Sequence, residues 1–315
     1  MALTLPVLID LFVETKRVEG KSPKTCSWYR NMLSRFARFA GEDMTLEQLS
    51  VNDARSFVAH LQSQDTRYSD HPYRDKADGG ISPASIAAYV RAIKTFSAWM
   101  AEEGYTKGNL LAKLKRPRTP TKVVPVLSEE EIHALLEQPN SNTFLGARLY
   151  TILSLMLDTG LRAGEVCRLK LVDVAVEHRR LKVMGKGQKE RFVFFGVSTQ
   201  KVLLRWKLVW RSTVAHEECD TFFTNVDGSP LTYSALTQAV KRAGKNADIP
   251  RLHCHLLRHT FAVRFLTNGG NLMALRDVLG HSDIAVTQIY LSMTPAHLQV
   301  QYEQYSPMDR IMARR

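Results

Sequence analysis

Three prolines within nine residues divide this 315-residue chain into two parts that fold separately. Pro117, Pro120 and Pro125 lie in the segment KLKRPRTPTKVVPVLSEEE, residues 113–131. Proline lacks a backbone N–H and its ring clashes with the preceding helical turn, so no helix can cross this segment. The segment also offers few apolar side chains to a core. We therefore expect a basic, extended linker over residues 113–126 with one domain on either side.

The part before the linker has the periodicity of a helical bundle. Four stretches with apolar residues at helical spacing begin near Leu5, Ser22, Ser50 and Ser82, and two of them open with the helix-starting pair Ser-Pro. Residues 65–80 between the third and fourth stretches are polar and predict an exposed loop. Four helices in about 100 residues predict a small bundle over residues 1–112.

The part after the linker mixes helices with a few strands. RLKVMGKGQKERFVFF, residues 180–195, predicts two strands joined by a Gly-Lys-Gly turn, and DTFFTN, residues 220–225, predicts a further short strand. Apolar periodicity and caps predict helices over the remaining ordered stretches, 128–138, 144–160, 198–212, 231–249, 255–270, 271–280 and 283–292. The expected fold class is therefore mostly α with a small β-sheet, an α+β protein.

The charge balance indicates the kind of partner. Lys and Arg together number 43 against 31 acidic residues, giving a net charge of +12 that is spread over both parts. Such a surface favours a polyanion, with nucleic acid ahead of an acidic membrane. No apolar stretch has the ~18 residues of a membrane span, and the N-terminus does not read as a signal peptide. Four scattered cysteines without a CxxC pair predict free thiols in a cytoplasmic protein.

Four motifs place basic or reactive side chains where packing does not require them. They are TGLRAGEV, GKGQKER, HLLRH and LGHSDIAVTQIY. The set has no carboxylate cage for a metal, but it has donors for a phosphate and one possible nucleophile. The candidate residues are Arg162, Lys186, His255, Arg258, His281 and Tyr290.

The chemistry of a phosphodiester explains this set of residue types. Planar arginine forks fit the non-bridging oxygens on which charge develops. A lysine whose pKa is lowered by neighbouring cations can protonate a leaving 5′ oxygen. A tyrosine needs a base and nearby cations to react as a phenolate. A tyrosyl phosphodiester conserves the bond energy, which agrees with the absence of a GxxxxGK[ST] loop from the sequence.

The four motifs, in this order and at this approximate spacing, resemble the tyrosine recombinases, also called phage-type integrases, including the Xer-type chromosome-dimer resolvases. The resemblance covers nearly the whole chain. It implies a helical core-binding domain over residues 1–112 and a catalytic domain over 127–290, which together clamp DNA. For the tail over 291–315 it implies docking onto a neighbouring protomer, and packing within its own domain is the alternative. The loop at residues 65–80 is longer than compact members of the family need.

The resemblance also implies how the phosphate is bound. Arg162 and Arg258 would bind the scissile phosphate and His281 would donate a hydrogen bond to it. Glu165, which matches an acidic position of the first motif, would orient a neighbouring basic group without reacting. Further contacts to DNA are expected from basic residues of the linker and the hairpin, namely Lys113, Lys115, Arg116, Arg118, Lys122 and Lys189.

The remaining positions would move the protons and form the covalent bond. Tyr290 would form a 3′-phosphotyrosyl bond, and Lys186 would be the general acid. His255 would accept or orient the proton of the nucleophile, although His253 in RLHCH is an alternative; the spacing to Arg258 favours His255. No metal, cofactor or ATP is expected.

The implied partner is double-stranded DNA at a specific recombination site. A dimer would bind one site and a homotetramer two sites, with no membrane partner. The target sequence, the host element (phage, transposon or chromosome) and any accessory protein are not specified by the residues.

Two other classes of function remain open from the residues. His255 and His259 are four apart, as in zinc helices, with His253, Cys254 and His281 nearby as further ligands, although Leu256 replaces the glutamate that such hydrolases use. A non-catalytic DNA-binding protein of the same fold is the second alternative. Type IB topoisomerases and telomere resolvases share the tyrosine chemistry and differ in substrate.

Overall fold

The protein divides into two compact units, Met1–Thr121 and Lys122–Arg315. The computed structural model describes residues 3–67, 77–117, 125–185, 190–214 and 219–280, together with Met308 and Met312. Most of these residues are helical and a small sheet lies in the second unit, which confirms the predicted fold class. Within the described ranges no helix is long and apolar enough to span a bilayer.

The first unit contains the four helices that the sequence predicts: α1 (Leu5–Val18), α2 (Pro23–Ala40), α3 (Val51–Ser63) and α4 (Pro83–Glu102). Ser22 and Ser82 accept hydrogen bonds from backbone N–H groups of the first turns of α2 and α4, and each is followed by proline. Ser50 begins α3 in a capping box with Asp53. These contacts satisfy N–H groups that have no partner inside a helix, which fixes where the helices begin.

An aromatic cluster holds these helices together. The ring of Phe12 lies 5.1, 5.5 and 5.4 Å, centroid to centroid, from the rings of Tyr29, Phe96 and Trp99. Leu114 is buried in the same core, so the beginning of the predicted linker packs with the first unit.

The predicted loop between α3 and α4 is paired at its two ends. Residues Thr66–Arg67 (β1) and Ala77–Asp78 (β2) form a short antiparallel ribbon, which the prediction of an exposed loop over 65–80 did not include. Polarity marked the segment as exposed, but the backbone pairing of so short a ribbon leaves no apolar alternation in the sequence. Residues 68–76 lie outside the described residues.

The second unit combines helices with a three-stranded antiparallel sheet in the order β3-β4-β5. The predicted hairpin of β4 and β5 is confirmed, while its turn at residues 186–189 lies outside the described residues. The elements are α5 (Glu129–Glu137), α6 (Phe144–Thr159), α7 (Ala163–Arg168), β3 (Val174–Ala175), β4 (Arg180–Met184), β5 (Glu190–Phe194), α8 (Val197–Arg205), α9 (Tyr233–Asn246), α10 (Cys254–Thr267) and α11 (Leu272–Leu279).

Two predictions for this unit need correction. The helix predicted over 198–212 is α-helical only in α8 and continues as a π-helical turn, Trp206–Trp210, and a 3-10 turn, Arg211–Val214. The strand predicted for DTFFTN is wrong, because this segment makes only isolated bridges. Phe222 and Phe223 are both fully buried. The backbone N–H of Phe222 donates to the carbonyl oxygen of Leu169, and its own carbonyl oxygen accepts from the Trp206 indole, so the segment pairs with its neighbours at single residues and not along a strand.

The end of α6 fixes the start of the candidate site. Gly160 ends this helix with a left-handed conformation, φ 64°. A Cβ at this position would lie 2.4 Å from the ring of Phe261 and 2.9 Å from the side chain of Leu279. Only glycine combines this backbone with so close an approach. As a result α6, α10 and α11 meet at this point, and the chain continues directly into Leu161 and Arg162.

Candidate active site

The structure brings residues of three of the four motifs to one cavity. Arg162, Glu165, His255 and Arg258 line a cavity of about 480 Å³ in the second unit, together with Gly185, the residue before Lys186. The predicted residues Lys186, Lys189, His281 and Tyr290, and the linker residues Arg118 and Lys122, lie outside the described residues. Lys113, Lys115 and Arg116 belong to the other unit.

Arg258 lines this cavity from an almost fully buried position. The residue is 1% exposed, and its Nη1 and Nη2 groups donate to the carbonyl oxygens of Gly160 and Leu279, each at 2.7 Å. These oxygens lie at the C-terminal ends of α6 and α11, where carbonyl groups have no partner inside the helix and carry partial negative charge. The two bonds therefore fix the orientation of a guanidinium that burial alone would disfavour.

Arg162 presents its guanidinium to the cavity from the N-cap position of α7. Its backbone N–H donates to Glu165 Oε2 at 2.9 Å, and its Nη1 donates to Glu165 Oε1 at 3.0 Å and to the Leu279 oxygen at 3.3 Å. The side chain is 39% exposed. Within the described part of the chain, its Nε and Nη2 groups have no hydrogen-bond partner, so this edge of the fork is available to an anionic ligand.

Glu165 is an ionised carboxylate inside the protein. Its side chain is 3% exposed and accepts from both Arg162 and Arg191. Burial favours the neutral acid, but the hydrogen bonds and charges of the two arginines outweigh it, so the pKa of Glu165 lies below its ordinary value. Its two oxygens accept four hydrogen bonds, two from Arg162 and two from Arg191, so the carboxylate contacts both basic side chains at once.

Arg191, the last residue of the motif GKGQKER, belongs to the site region, although the sequence analysis assigned it no role. Its Nη1 and Nη2 donate to the two carboxylate oxygens of Glu165, both at 2.9 Å, and its Nε donates to the carbonyl oxygen of Val278 at 2.9 Å. The strand pattern contained a signal for it. Arg191 is two residues from the buried Val193, so both side chains lie on the inward face of β5. An inward charge on a strand requires a partner, but the identity of that partner is not encoded locally.

His255 rather than His253 faces the cavity among the described residues. His253 is the N-cap of α10 and its Nδ1 hydrogen-bonds to the carbonyl oxygen of Arg251 at 2.8 Å. Partial burial, followed by the positive charges of Arg258, His253 and Arg162, lowers the pKa of His255 below its ordinary value. The ring is therefore neutral near pH 7 and can accept a proton.

A zinc site, the alternative function based on His255 and His259, would require further ligands close to these two side chains. The His255 and His259 rings lie 4.3 Å apart, centroid to centroid, at an angle of 63°. Cys254 also lines the cavity, and burial raises the pKa of its thiol to about 11. In the part of the chain that the structure describes, no group of three His, Cys, Asp or Glu side chains is placed to hold a metal ion.

The arrangement of charges suits an anion with several oxygens. The guanidinium groups of Arg162 and Arg191 bind the carboxylate of Glu165, and those of Arg168 and Arg258 also line the cavity. Among the described residues, positive charge therefore exceeds negative charge around this cavity. A phosphodiester carries one negative charge, and its pentacoordinate transition state carries two, so the local charge balance favours the transition state.

Both units match families of known proteins. The sequence model of the Phage integrase family matches residues 125–297, and that of the Phage integrase SAM-like domain matches residues 4–116. Tyrosine recombinase XerC of Oceanobacillus iheyensis is 30% identical over 310 residues, which cover 96% of this chain and 97% of that protein. Tyrosine recombinase XerD of Staphylococcus aureus is 29% identical over 306 residues, 96% of this chain and 99% of that protein.

A solved structure shares the fold at lower identity. The crystal structure of a lambda integrase dimer bound to a COC′ core site matches with a TM-score of 0.71 and 17% identity, covering 93% of this chain and 97% of that chain.

Proposed function

The chain belongs to the phage integrase family, the tyrosine recombinases, and we propose that the cavity at Arg162, His255 and Arg258 is where it binds the scissile phosphodiester. The family expected from the four motifs is thereby confirmed. As a tyrosine recombinase, the protein is an enzyme that breaks and rejoins DNA strands at specific sites. Nothing in the comparisons supports a zinc-dependent hydrolase.

The observation that carries the proposed site is the pair of arginines on one cavity wall. Arg258 is fixed by two backbone carbonyl groups, and Arg162 keeps one edge of its fork unpaired among the described residues. Planar forks held in this way can donate to the non-bridging oxygens without reorganising during the reaction. We assign the phosphate-binding role to these two residues, with His281 as a further donor.

The proposed chemistry is a transesterification that balances without a co-reactant. The phenolic oxygen of Tyr290 attacks phosphorus, the bond from phosphorus to the 5′ oxygen breaks, and a 3′-phosphotyrosyl ester remains. Lys186 gives a proton to the leaving 5′ oxygen, and neutral His255 takes the proton of the phenol. Attack by a 5′ hydroxyl group of a partner strand reverses these steps and rejoins the DNA, so neither ATP nor a metal ion takes part in the proposed steps.

The proposed assembly places the DNA against both units. Residues 1–112 act as the core-binding domain, the basic linker 113–126 lies on the phosphate backbone, and residues 127–290 carry the chemistry. The lambda integrase of the solved complex is a dimer on its core site. We propose a dimer on one site and a tetramer on two, in the cytoplasm.

A truncation tests the assembly. Residues 291–315 are proposed to dock onto a neighbouring protomer, and they lie outside the described residues except for Met308 and Met312. A chain ending at Ser292 should bind a single half-site with nearly full affinity but lose cooperative binding to the complete site and, with it, recombination. Unchanged cooperativity would show that the tail packs within its own protomer.

Recombination of a plasmid tests the function itself. DNA that becomes covalently trapped on the protein is sequenced to identify the target, and two copies of that target are placed on a supercoiled plasmid. The protein should exchange strands between the two copies in excess EDTA. Relaxation of plasmids that lack the target would indicate a topoisomerase instead, and binding without cleavage would indicate a non-catalytic DNA-binding protein.

A further inference from the structure

Arg191 connects three parts of the second unit through a single side chain. It lies on β5, donates two bonds to Glu165 on α7, and donates one bond to the Val278 carbonyl near the end of α11. The side chain is 12% exposed, so these bonds are largely shielded from water. A shielded, bidentate bond between charged groups is stronger and more directional than a surface ion pair.

Each of these three parts leads directly to a proposed catalytic residue. Glu165 binds Arg162 on the cavity wall. β5 begins at Glu190, four residues after Lys186, and α11 ends two residues before His281. Arg191 thus lies at the junction of the three segments that supply the phosphate-binding arginine, the general acid and the second histidine.

The bonds of Glu165 explain how Arg191 controls the first of these residues. The carboxylate accepts two bonds from Arg191, one from the backbone N–H of Arg162 and one from Arg162 Nη1. Because Arg191 satisfies both oxygens, Arg162 gives Glu165 only one side-chain nitrogen. Without Arg191, the buried carboxylate would have lone pairs without donors, and further nitrogen atoms of the Arg162 guanidinium would bind to it. The Nε–Nη2 edge of Arg162 would then point away from the cavity.

We propose that Arg191 is a positioning residue: by satisfying Glu165 it keeps the Nε–Nη2 edge of Arg162 directed at the scissile phosphate. Arg191 does not touch the DNA in this scheme. The inference rests on the proposed function, because it assigns Arg191 a role only if Arg162 binds the phosphate. It adds to that function a residue outside the cavity lining, on which the geometry of Arg162 depends.

A matched pair of substitutions in the same hairpin tests this role. Arg191→Gln removes the bidentate bond, while Arg180→Gln removes an equal charge from the exposed side of β4, where the guanidinium lies 5.4 Å from the centre of the Phe192 ring. Single-turnover cleavage is measured with saturating protein, so that the observed rate constant for cleavage does not depend on the affinity for DNA. Arg191→Gln should cleave about 100-fold more slowly, as expected for a small misplacement of a reacting group. Arg180→Gln should stay within about twofold of the unsubstituted protein.

A double substitution separates positioning from a general loss of stability. Once Arg162→Lys has removed the planar fork, Arg191 has nothing left to position. Adding Arg191→Gln to Arg162→Lys should therefore slow cleavage by less than about threefold further, a strong non-additivity. If the role of Arg191 were only structural, its effect would multiply with that of Arg162→Lys. Thermal unfolding of each variant ensures that the rates are compared on folded protein.

The outcomes distinguish this inference from the proposed function. Cleavage by Arg191→Gln at the rate of Arg180→Gln, or multiplying defects in the double variant, would overturn the positioning role while leaving the phosphate site intact. Cleavage at the normal rate by Arg162→Lys alone would instead overturn the proposed site. If Arg191→Gln does not fold, Arg191→Lys replaces it: this variant keeps the charge beside Glu165 but not the bidentate bond, and it should recover stability more than cleavage.

Discussion

Arg162 and Arg258 donate to one shared acceptor, the carbonyl oxygen of Leu279, at 3.3 and 2.7 Å. The two residues are 96 positions apart in the chain (162 and 258) and come from the N-terminus of α7 and from α10. The shared oxygen lies at the end of α11, and the chain then continues through Gly280 to His281. One backbone carbonyl group therefore accepts hydrogen bonds from both arginines and connects them to the last of the four motifs.

Replacement of either arginine by lysine should slow cleavage severely. An ammonium group keeps the charge but cannot reproduce two parallel bonds to a phosphate. Arg258→Lys should also lower the free energy of unfolding by about 1–3 kcal/mol, because a buried carbonyl loses its donor. Arg162→Lys, at a more exposed position, should affect stability less. Single-turnover cleavage and chemical denaturation measure the two effects, and normal cleavage by both variants would place the phosphate elsewhere.

Much of the fold could be predicted because its signals are local. The Ser-Pro starts of α2 and α4, the glycine that ends α6 and the alternation in β4 and β5 are each determined by a few neighbouring residues. Arg191 was missed because its partners lie 26 and 87 positions away, at Glu165 and Val278. Only the folded chain determines which inward charge meets which carboxylate. DTFFTN was predicted incorrectly for the same reason: its backbone partners, Leu169 and the Trp206 indole, lie outside the segment, and its pairing is limited to isolated bridges.

Part of the candidate site could also be predicted from the sequence. The i, i+3 spacing of His255 and Arg258 placed both on one face of a helix, and the structure adds that the cavity is lined by His255 and not His253 among the described residues. The spacing could not indicate that Arg258 would be almost fully buried while Arg162 remained partly open. That difference arises because the Arg258 side chain extends from α10 to the ends of α6 and α11, where it binds the carbonyl oxygens of Gly160 and Leu279.

Loss of Lys186 should depend on the leaving group. Lys186→Ala should strongly slow cleavage of an ordinary phosphodiester, because the departing 5′ oxygen needs a proton. A substrate with sulfur at the 5′ bridging position releases a thiolate without one, so the variant should cleave it at nearly the normal rate. Comparison of the two substrates by single-turnover kinetics gives the result. Equal defects on both would remove Lys186 from this role and direct attention to Lys189 or a histidine.

The rate of cleavage should remain high at mildly acidic pH. Burial and then the charges of Arg258, His253 and Arg162 lower the pKa of His255, so the ring stays neutral to lower pH than an ordinary histidine. As the pH falls through this lowered pKa, the base is protonated and cleavage is lost. The midpoint of the acidic limb should therefore lie below about 6.5, the ordinary value for histidine.

His253 provides a control for this assignment. His253→Asn removes one of the positive charges beside His255 and should move the acidic limb toward higher pH without abolishing cleavage. Titration of the His255 ring by NMR should give the same midpoint as the rate profile. A midpoint at or above the ordinary value would show that His255 is not the group that accepts the proton.

Neutralising the linker should reduce the salt dependence of DNA binding. Each lysine or arginine that binds a phosphate releases about one counterion, so the slope of log affinity against log salt should fall by about one unit for every such residue that is neutralised. Lys16 and Arg17 on α1, already paired with Glu19 and Glu14, provide a control for loss of charge alone. An unchanged slope would leave the linker as a spacer. The residues to replace together are Lys113, Lys115, Arg116, Arg118 and Lys122.

Mapping the proposed covalent bond between Tyr290 and DNA is the most direct test of the enzyme mechanism. The protein is incubated with a nicked substrate that traps the cleaved strand, denatured and digested, and the cross-linked peptide is identified by mass spectrometry. The 3′ phosphate should be attached to Tyr290, and Tyr290→Phe should form no adduct while binding the site within about threefold of the normal affinity, because only the nucleophilic oxygen is removed. A denaturation-resistant adduct in Tyr290→Phe, or one mapped to another residue, would contradict the assignment of the nucleophile.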